Sequence, residues 1–194
     1  MARIAEPQKI ENIKKAVMEL LIEHGYGSMS IATVSEKAGV SPGYLYRYYK
    51  SKEELVRELV DLEIKNFIDA FEKDIDTSLT AAEAGYKFIY KLFMQANEDP
   101  ILAKFVAAVV MDVKVPSREK SDKFKMVREL AEKIIRLGVK TGEINPKVTP
   151  MEVVIVAFTL PFRYISISLE MDNNKKFTRE DAERITEICL NSFK

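Results

Sequence analysis

The chain has 194 residues, 47% of them hydrophobic and 31% charged, with only 7 Gly and 7 Pro, which describes a helix-rich globular protein long enough to bury a core. A single cysteine, Cys189, excludes an internal disulfide and a thiol cluster for metal, and it fits a reducing cytoplasm. Basic and acidic side chains balance at 30 each, but residues 1–52 hold 8 Lys/Arg against 5 Asp/Glu, so the basic excess sits at the N-terminus.

The apolar spacing predicts a first helix from about Pro7 to His24, with Ile10, Ile13, Val17, Leu20 and Leu21 on one stripe and Gly25 and Gly27 ending it. His24 is the only histidine and has no partners at metal-ligand spacing. Ser30 is a good cap for a second helix of about eight residues with Ile31, Val34 and Ala38 inward. The N–H groups at its start, together with the Ser30 and Thr33 hydroxyls, are suited to a DNA phosphate, although capping alone accounts for Ser30 equally well.

Ala38-Gly39-Val40-Ser41 then closes one helix and opens another within four residues, the turn of a helix-turn-helix. Ser41 caps a third helix with Pro42 at its first position, and the helix is expected to run to Tyr49. At 100° per residue Leu45 and Tyr49 share the inward face, and Gly43, Tyr44 and Arg47 share the other, flanked by Tyr46 and Tyr48. A guanidinium, phenol hydroxyls and a bare glycine suit a major groove, where Arg pairs with guanine edges and tyrosines reach phosphates. The bland alternative is that these side chains snorkel over an ordinary surface.

Ser30, Val34-Ser35, AGVS at 38–41, Gly43, Leu45-Tyr46, Tyr49 and Lys52-Glu53 together resemble the N-terminal signature of TetR-family transcriptional regulators. The likeness is detailed over about residues 8–60 and generic beyond them. It implies an N-terminal head that reads double-stranded DNA, a phosphate contact by Lys52, and an effector pocket in the body whose occupation moves the heads and releases DNA. Pro42 departs from the basic residue often found there, and Tyr44 is bulkier than the usual small or polar group. Both departures bear on the operator sequence and not on the mode of binding.

Ser51-Lys52-Glu53-Glu54 is an S-x-x-E capping box that opens a fourth helix, predicted to about residue 75 and long enough to join head and body as a strut. Residues 1–52 are therefore expected to form the DNA-binding domain and residues 76–194 an effector-binding and dimerisation domain, linked by the helix over 51–75. In the body, helices are predicted over about Ala81–Asn97, Ile101–Asp112, Ser117–Thr141, Pro150–Glu170 and Thr178–Phe193. The whole is an all-α protein of about nine helices, a three-helix head on a helical bundle.

Tyr86, Tyr90, Phe93, Met94 and Phe105 are candidate pocket residues, as are Met111, Phe124, Phe158 and Phe162, although aromatic residues at helical spacing serve more often as core. The stretch MEVVIVAFTLPF is apolar around its circumference, and Pro161 inside it predicts a kink. A helix apolar on all sides needs covering on all sides. The stretches 150–170 and 178–193 are therefore expected to meet those of a second copy as a four-helix bundle, with packing inside one chain alone as the alternative.

No Gly-rich phosphate loop, zinc-binding H-E-x-x-H or Cys-His pairing is visible, so no enzyme, metal site or cofactor is expected. The longest unbroken apolar run, Phe105 to Met111, is seven residues where a membrane span needs about 20, and Met1 to Lys9 lacks an apolar signal segment. A cytoplasmic homodimer is expected, one that binds a near-palindromic operator and responds to a small apolar or amphipathic effector. The competing reading is a helix-turn-helix scaffold for a protein partner, which would lack salt-sensitive DNA affinity.

Overall fold

The computed structural model describes residues 7–110 and 120–194, and the side chains of 7–110 and 125–194. The described residues form helices α1 (Pro7–Ser28), α2 (Ile31–Ala38), α3 (Pro42–Leu45), α4 (Lys52–Asp76), α5 (Ala81–Glu98), α6 (Pro100–Val110) and α7 (Lys120–Thr141). After these come α8 (Pro150–Val153), a π-helical segment (Val154–Thr159), α9 (Leu160–Met171) and α10 (Arg179–Asn191). No strand occurs among the described residues, so the fold is all-α.

Capping chemistry sets most helix starts. Ser51 accepts the Glu54 N–H at 3.1 Å, and Thr149 and Thr178 each form a reciprocal box, with Glu152 and Asp181 respectively. α4 carries its stripe of Leu55, Val56, Leu59, Val60, Ile68, Phe71 and Ile75 from the head into the body over 25 residues, roughly 38 Å. α5 lies at the centre of the body, packed by α4, α6, α7 and α10, while α6 packs on both α9 and α1. Head and body therefore touch through α1 and α6 as well as through the continuous α4.

Three elements differ from the periodicity reading. α1 breaks at Gly25, φ 71°, as expected, but a further helical stretch follows the kink to Ser28, so Gly27 does not end it. α3 is a single turn, Pro42–Leu45, and does not run to Tyr49 as a helix. Beyond Leu45, Arg47 N–H bonds the Tyr44 carbonyl and Tyr48 N–H the Leu45 carbonyl, tighter i→i+3 turns.

The third difference is at Pro161, which offers no N–H to the carbonyl of Ala157. The chain accommodates this by widening the preceding turn into the π segment, where the Thr159 hydroxyl donates to the Val154 carbonyl at 3.3 Å. The whole rod Pro150–Met171 is long and apolar enough to cross a membrane by length and composition, with a mean hydropathy of 1.5. Yet Val153, Phe158, Pro161, Phe162, Ile165 and Leu169 are buried inside the bundle. Met151, Ile155 and Ile167 of this rod are exposed, as is Ile188 of α10.

Candidate nucleic-acid interface and effector cavity

The head is built on Leu45. Its side chain is fully buried in a core with Val17, Val34, Val56 and Val60, which fixes how the short α3 is presented. Gly39, at φ 67° and ψ 32°, ends α2 with its N–H on the Glu36 carbonyl, and Val40 N–H returns to the Ser35 carbonyl at 3.0 Å. Ser41 then accepts the Tyr44 N–H at 3.2 Å. With α3 so placed, Ser41, Pro42, Gly43, Tyr46, Arg47 and Tyr48 are exposed together. A Cβ built at Gly43 would meet nothing within 4 Å, so a backbone or base could approach closely there.

Tyr44 occupies a different layer. It is half-buried against the head core, its ring tilts on Tyr48 at 5.2 Å between centroids, and the Arg47 guanidinium lies 5.0 Å from its centroid. The phenol ring thus forms a platform under Arg47, holding a long side chain outward by cation–π attraction. Helical-wheel reasoning missed this stacking, and the Tyr44/Arg47 spacing of three residues was its only signal.

At the edge of the same surface, Ser30 and Thr33 engage each other. Ser30 accepts the Thr33 N–H at 3.1 Å and the Thr33 hydroxyl accepts the Ser30 N–H at 2.9 Å, with both residues at the outer start of α2. Lys52 turns back into the protein, donating to the Tyr26 carbonyl at 3.0 Å above the Tyr26 ring. Among the described residues, no group of three or more His, Cys, Asp or Glu is placed to hold a metal ion.

A cavity of about 170 Å³ opens where α4, α5 and α6 meet. α4 contributes Glu63, Asn66, Phe67, Ala70, Phe71 and Asp74, spaced for a single helical face. α5 adds Phe88, Lys91, Leu92 and Gln95, and α6 adds Ala103 and Val106. Asp74, buried, is ion-paired with Lys91. Glu63 has no such partner within 4 Å among the described residues. Burial pushes its carboxyl above the usual range, opposed by Lys14 and Asn66 and reinforced by Glu11 and Asp99.

The family model for bacterial regulatory proteins of the tetR family matches residues 13–59, the segment from the middle of α1 through the turn, α3 and the first part of α4. The chain resembles the tetR family over this N-terminal segment. It is 28% identical over 138 residues to the fatty acid metabolism regulator protein of Bacillus subtilis (strain 168), covering 71% of each chain. The fold matches the crystal structure of the transcriptional regulator FadR from Bacillus subtilis in complex with stearoyl-CoA, with a TM-score of 0.73 at 21% identity over 95% of this chain and 100% of that one. A TetR family transcription regulator from Marinobacter aquaeolei VT8 matches at a TM-score of 0.74 and 19% identity, over 96% and 95% of the two chains.

None of the described candidate pocket residues lines the α4–α5–α6 cavity. Phe158 and Phe162 stand behind its walls, against Phe71 at 5.1 Å and Phe67 at 5.2 Å respectively. Phe93 is core, stacked on Tyr164, and Phe105 is core as well. Tyr86 and Tyr90 stack on each other at 5.7 Å, with Tyr86 on a separate surface groove beside α10. Met94 is half-buried against the core. Met111 and the Phe124 side chain lie outside the described residues.

Proposed function

We propose that the chain is a homodimeric repressor whose two heads read a near-palindromic operator and let go when a small apolar or amphipathic molecule occupies the body. The observation that carries the reading is the presentation of α3. A fully buried Leu45 anchors one turn of helix whose outer side displays Arg47, Tyr46 and Tyr48 around an unencumbered Gly43. Such a set can pair with base edges and phosphates at once. Ser30 and Thr33 are proposed to meet backbone phosphate at the start of α2, and Ser41, Pro42 and Gly43 to line the groove. Lys52 is proposed to reach a phosphate only by leaving Tyr26.

Residues 1–52 act as the reading head and 76–194 as the sensing and pairing body, with the helix over 51–75 between them. The outer apolar side of Met151, Ile155, Ile167 and Ile188 supports pairing through 150–170 and 178–193, because a second copy would cover it. The likeness to a regulator solved with a bound small molecule supports a body that responds to an effector. A ligand between α4, α5 and α6 would press on the strut and on α6, which packs against α1, and so would tilt the heads. Footprinting on the DNA flanking the chain's own coding region tests this reading. A protected near-palindrome with half-sites about 34–36 Å apart is expected, and no protection at any salt would overturn it.

A further inference from the structure

Three of the cavity's wall residues, Phe67, Phe71 and Phe88, are aromatic, and Phe88 contacts both of the others. Phe71 and Phe88 are 4.3 Å apart between centroids, and Phe67 and Phe88 are 5.2 Å apart. Aromatic rings combined with a carboxylate form the setting in which organic cations are recognised, because the ring quadrupole and the anion attract the same charge. The carboxylate here is Glu63. The other acid on the wall, Asp74, is already neutralised by Lys91.

The charges facing Glu63 come from each neighbouring element. α1 brings Glu11 and Lys14, whose own contact is the 3.0 Å pair between them, and the α5–α6 junction brings Asp99. On the cavity wall itself the carboxylates of Glu63 and Asp74 stand against the single ammonium group of Lys91. The local balance therefore favours a positive guest and repels a carboxylate or phosphate. Size narrows the class further. An apolar cavity of about 150 Å³ accommodates benzene, so about 170 Å³ suits one aromatic ring or a short aliphatic body and not a long acyl chain.

Resting on the reading of the body as the sensing unit, we infer that the α4–α5–α6 cavity binds a small organic cation, its ring or short chain among Phe67, Phe71 and Phe88 and its ammonium group against Glu63. The bound cation compensates a carboxylate that faces α1 of the head through Lys14 and Glu11, which gives the head a direct electrostatic sense of occupancy.

Calorimetric titration of the full chain with benzyltrimethylammonium, benzyl alcohol and phenylacetate tests the inference, since the three share one ring and differ in charge. Benzyltrimethylammonium is expected to bind at least about tenfold more tightly than phenylacetate. Glu63→Gln is expected to weaken the cation about tenfold and leave benzyl alcohol unchanged. On the parent chain, lowering the pH from 7.5 to 4.5 should weaken the cation and not benzyl alcohol, a readout that holds even if the variant does not fold. Phenylacetate binding as well as the cation, no binding by any of the three, or a Glu63→Gln variant with unchanged preference would each overturn the inference. Operator binding of the same samples without probe is measured in parallel. Intact DNA binding then separates failure of the cation site from failure of the regulatory reading.

Discussion

Lys52 and Tyr26 tie the start of the strut to the end of α1: the lysine ammonium donates to the Tyr26 carbonyl at 3.0 Å and sits 4.2 Å from the centroid of the same residue's ring. A charge-assisted hydrogen bond and a cation–π contact to one residue fix the angle at which α4 leaves the head. Lys52→Ala should therefore lower unfolding stability by about 1–2 kcal/mol in urea titrations. If Lys52 served only as a phosphate contact, the variant would keep its stability and lose about one unit of salt slope in DNA binding instead.

Gly39 holds the turn between α2 and α3 at φ 67°, with open space where a side chain would go. The penalty for Gly39→Ala is then conformational alone, about 1–2 kcal/mol by denaturant midpoint. DNA affinity should fall further than stability accounts for, because the same turn sets the direction of α3. Equal stability of parent and variant would mean that the turn tolerates another backbone conformation.

Asp181 gives the body a titratable lock at the start of α10. Burial would raise its carboxyl, but the Thr178 N–H, Arg184 and Lys175 outweigh that and hold it at about 2. The folded value lies below the unfolded one, so the stabilisation is complete above about pH 4 and disappears as pH falls toward 2. The difference corresponds to about 2 kcal/mol for this buried group. Stability curves measured from pH 5 to 2 should fall more steeply for the parent than for Asp181→Asn. Parallel curves would remove Asp181 from the acid transition.

Ile155 is 56% exposed on the outer side of the rod, so Ile155→Glu should change the stability of an isolated subunit by less than about 0.5 kcal/mol. If that side is covered by a second copy, the charge is desolvated in the pair. Light scattering should then show the parent as a dimer and the variant as a monomer at micromolar concentration. A variant that remains dimeric places the interface elsewhere.

The elements that the sequence announces most clearly are those whose ends are chemically marked. Ser30, Ser51, Thr149 and Thr178 are caps that can be read from a few residues, and each opens its helix in the structure as a local rule requires. What escaped was set by distant contacts. The face of α4 carrying Glu63, Asn66, Ala70 and Asp74 reads as a solvated face, and only the arrival of α5 and α6 makes it a cavity wall. Conversely Phe93, Phe105, Phe158 and Phe162 have the side chains of a pocket, but the bundle closes around them. The shortness of α3 was hidden because Arg47 and Tyr48 continue a helical pattern that the backbone does not follow.

Arg47, held outward on the Tyr44 ring, is proposed to meet DNA. This is tested most directly by fluorescence anisotropy of the footprinted operator against the parent and Arg47→Ala over a range of salt concentrations. The account predicts that log affinity of the parent falls linearly with log salt, with a slope on the order of −5, and that Arg47→Ala loses roughly tenfold or more of the specific affinity at every salt. Parent binding that ignores salt, or an Arg47→Ala variant indistinguishable from the parent, would contradict it.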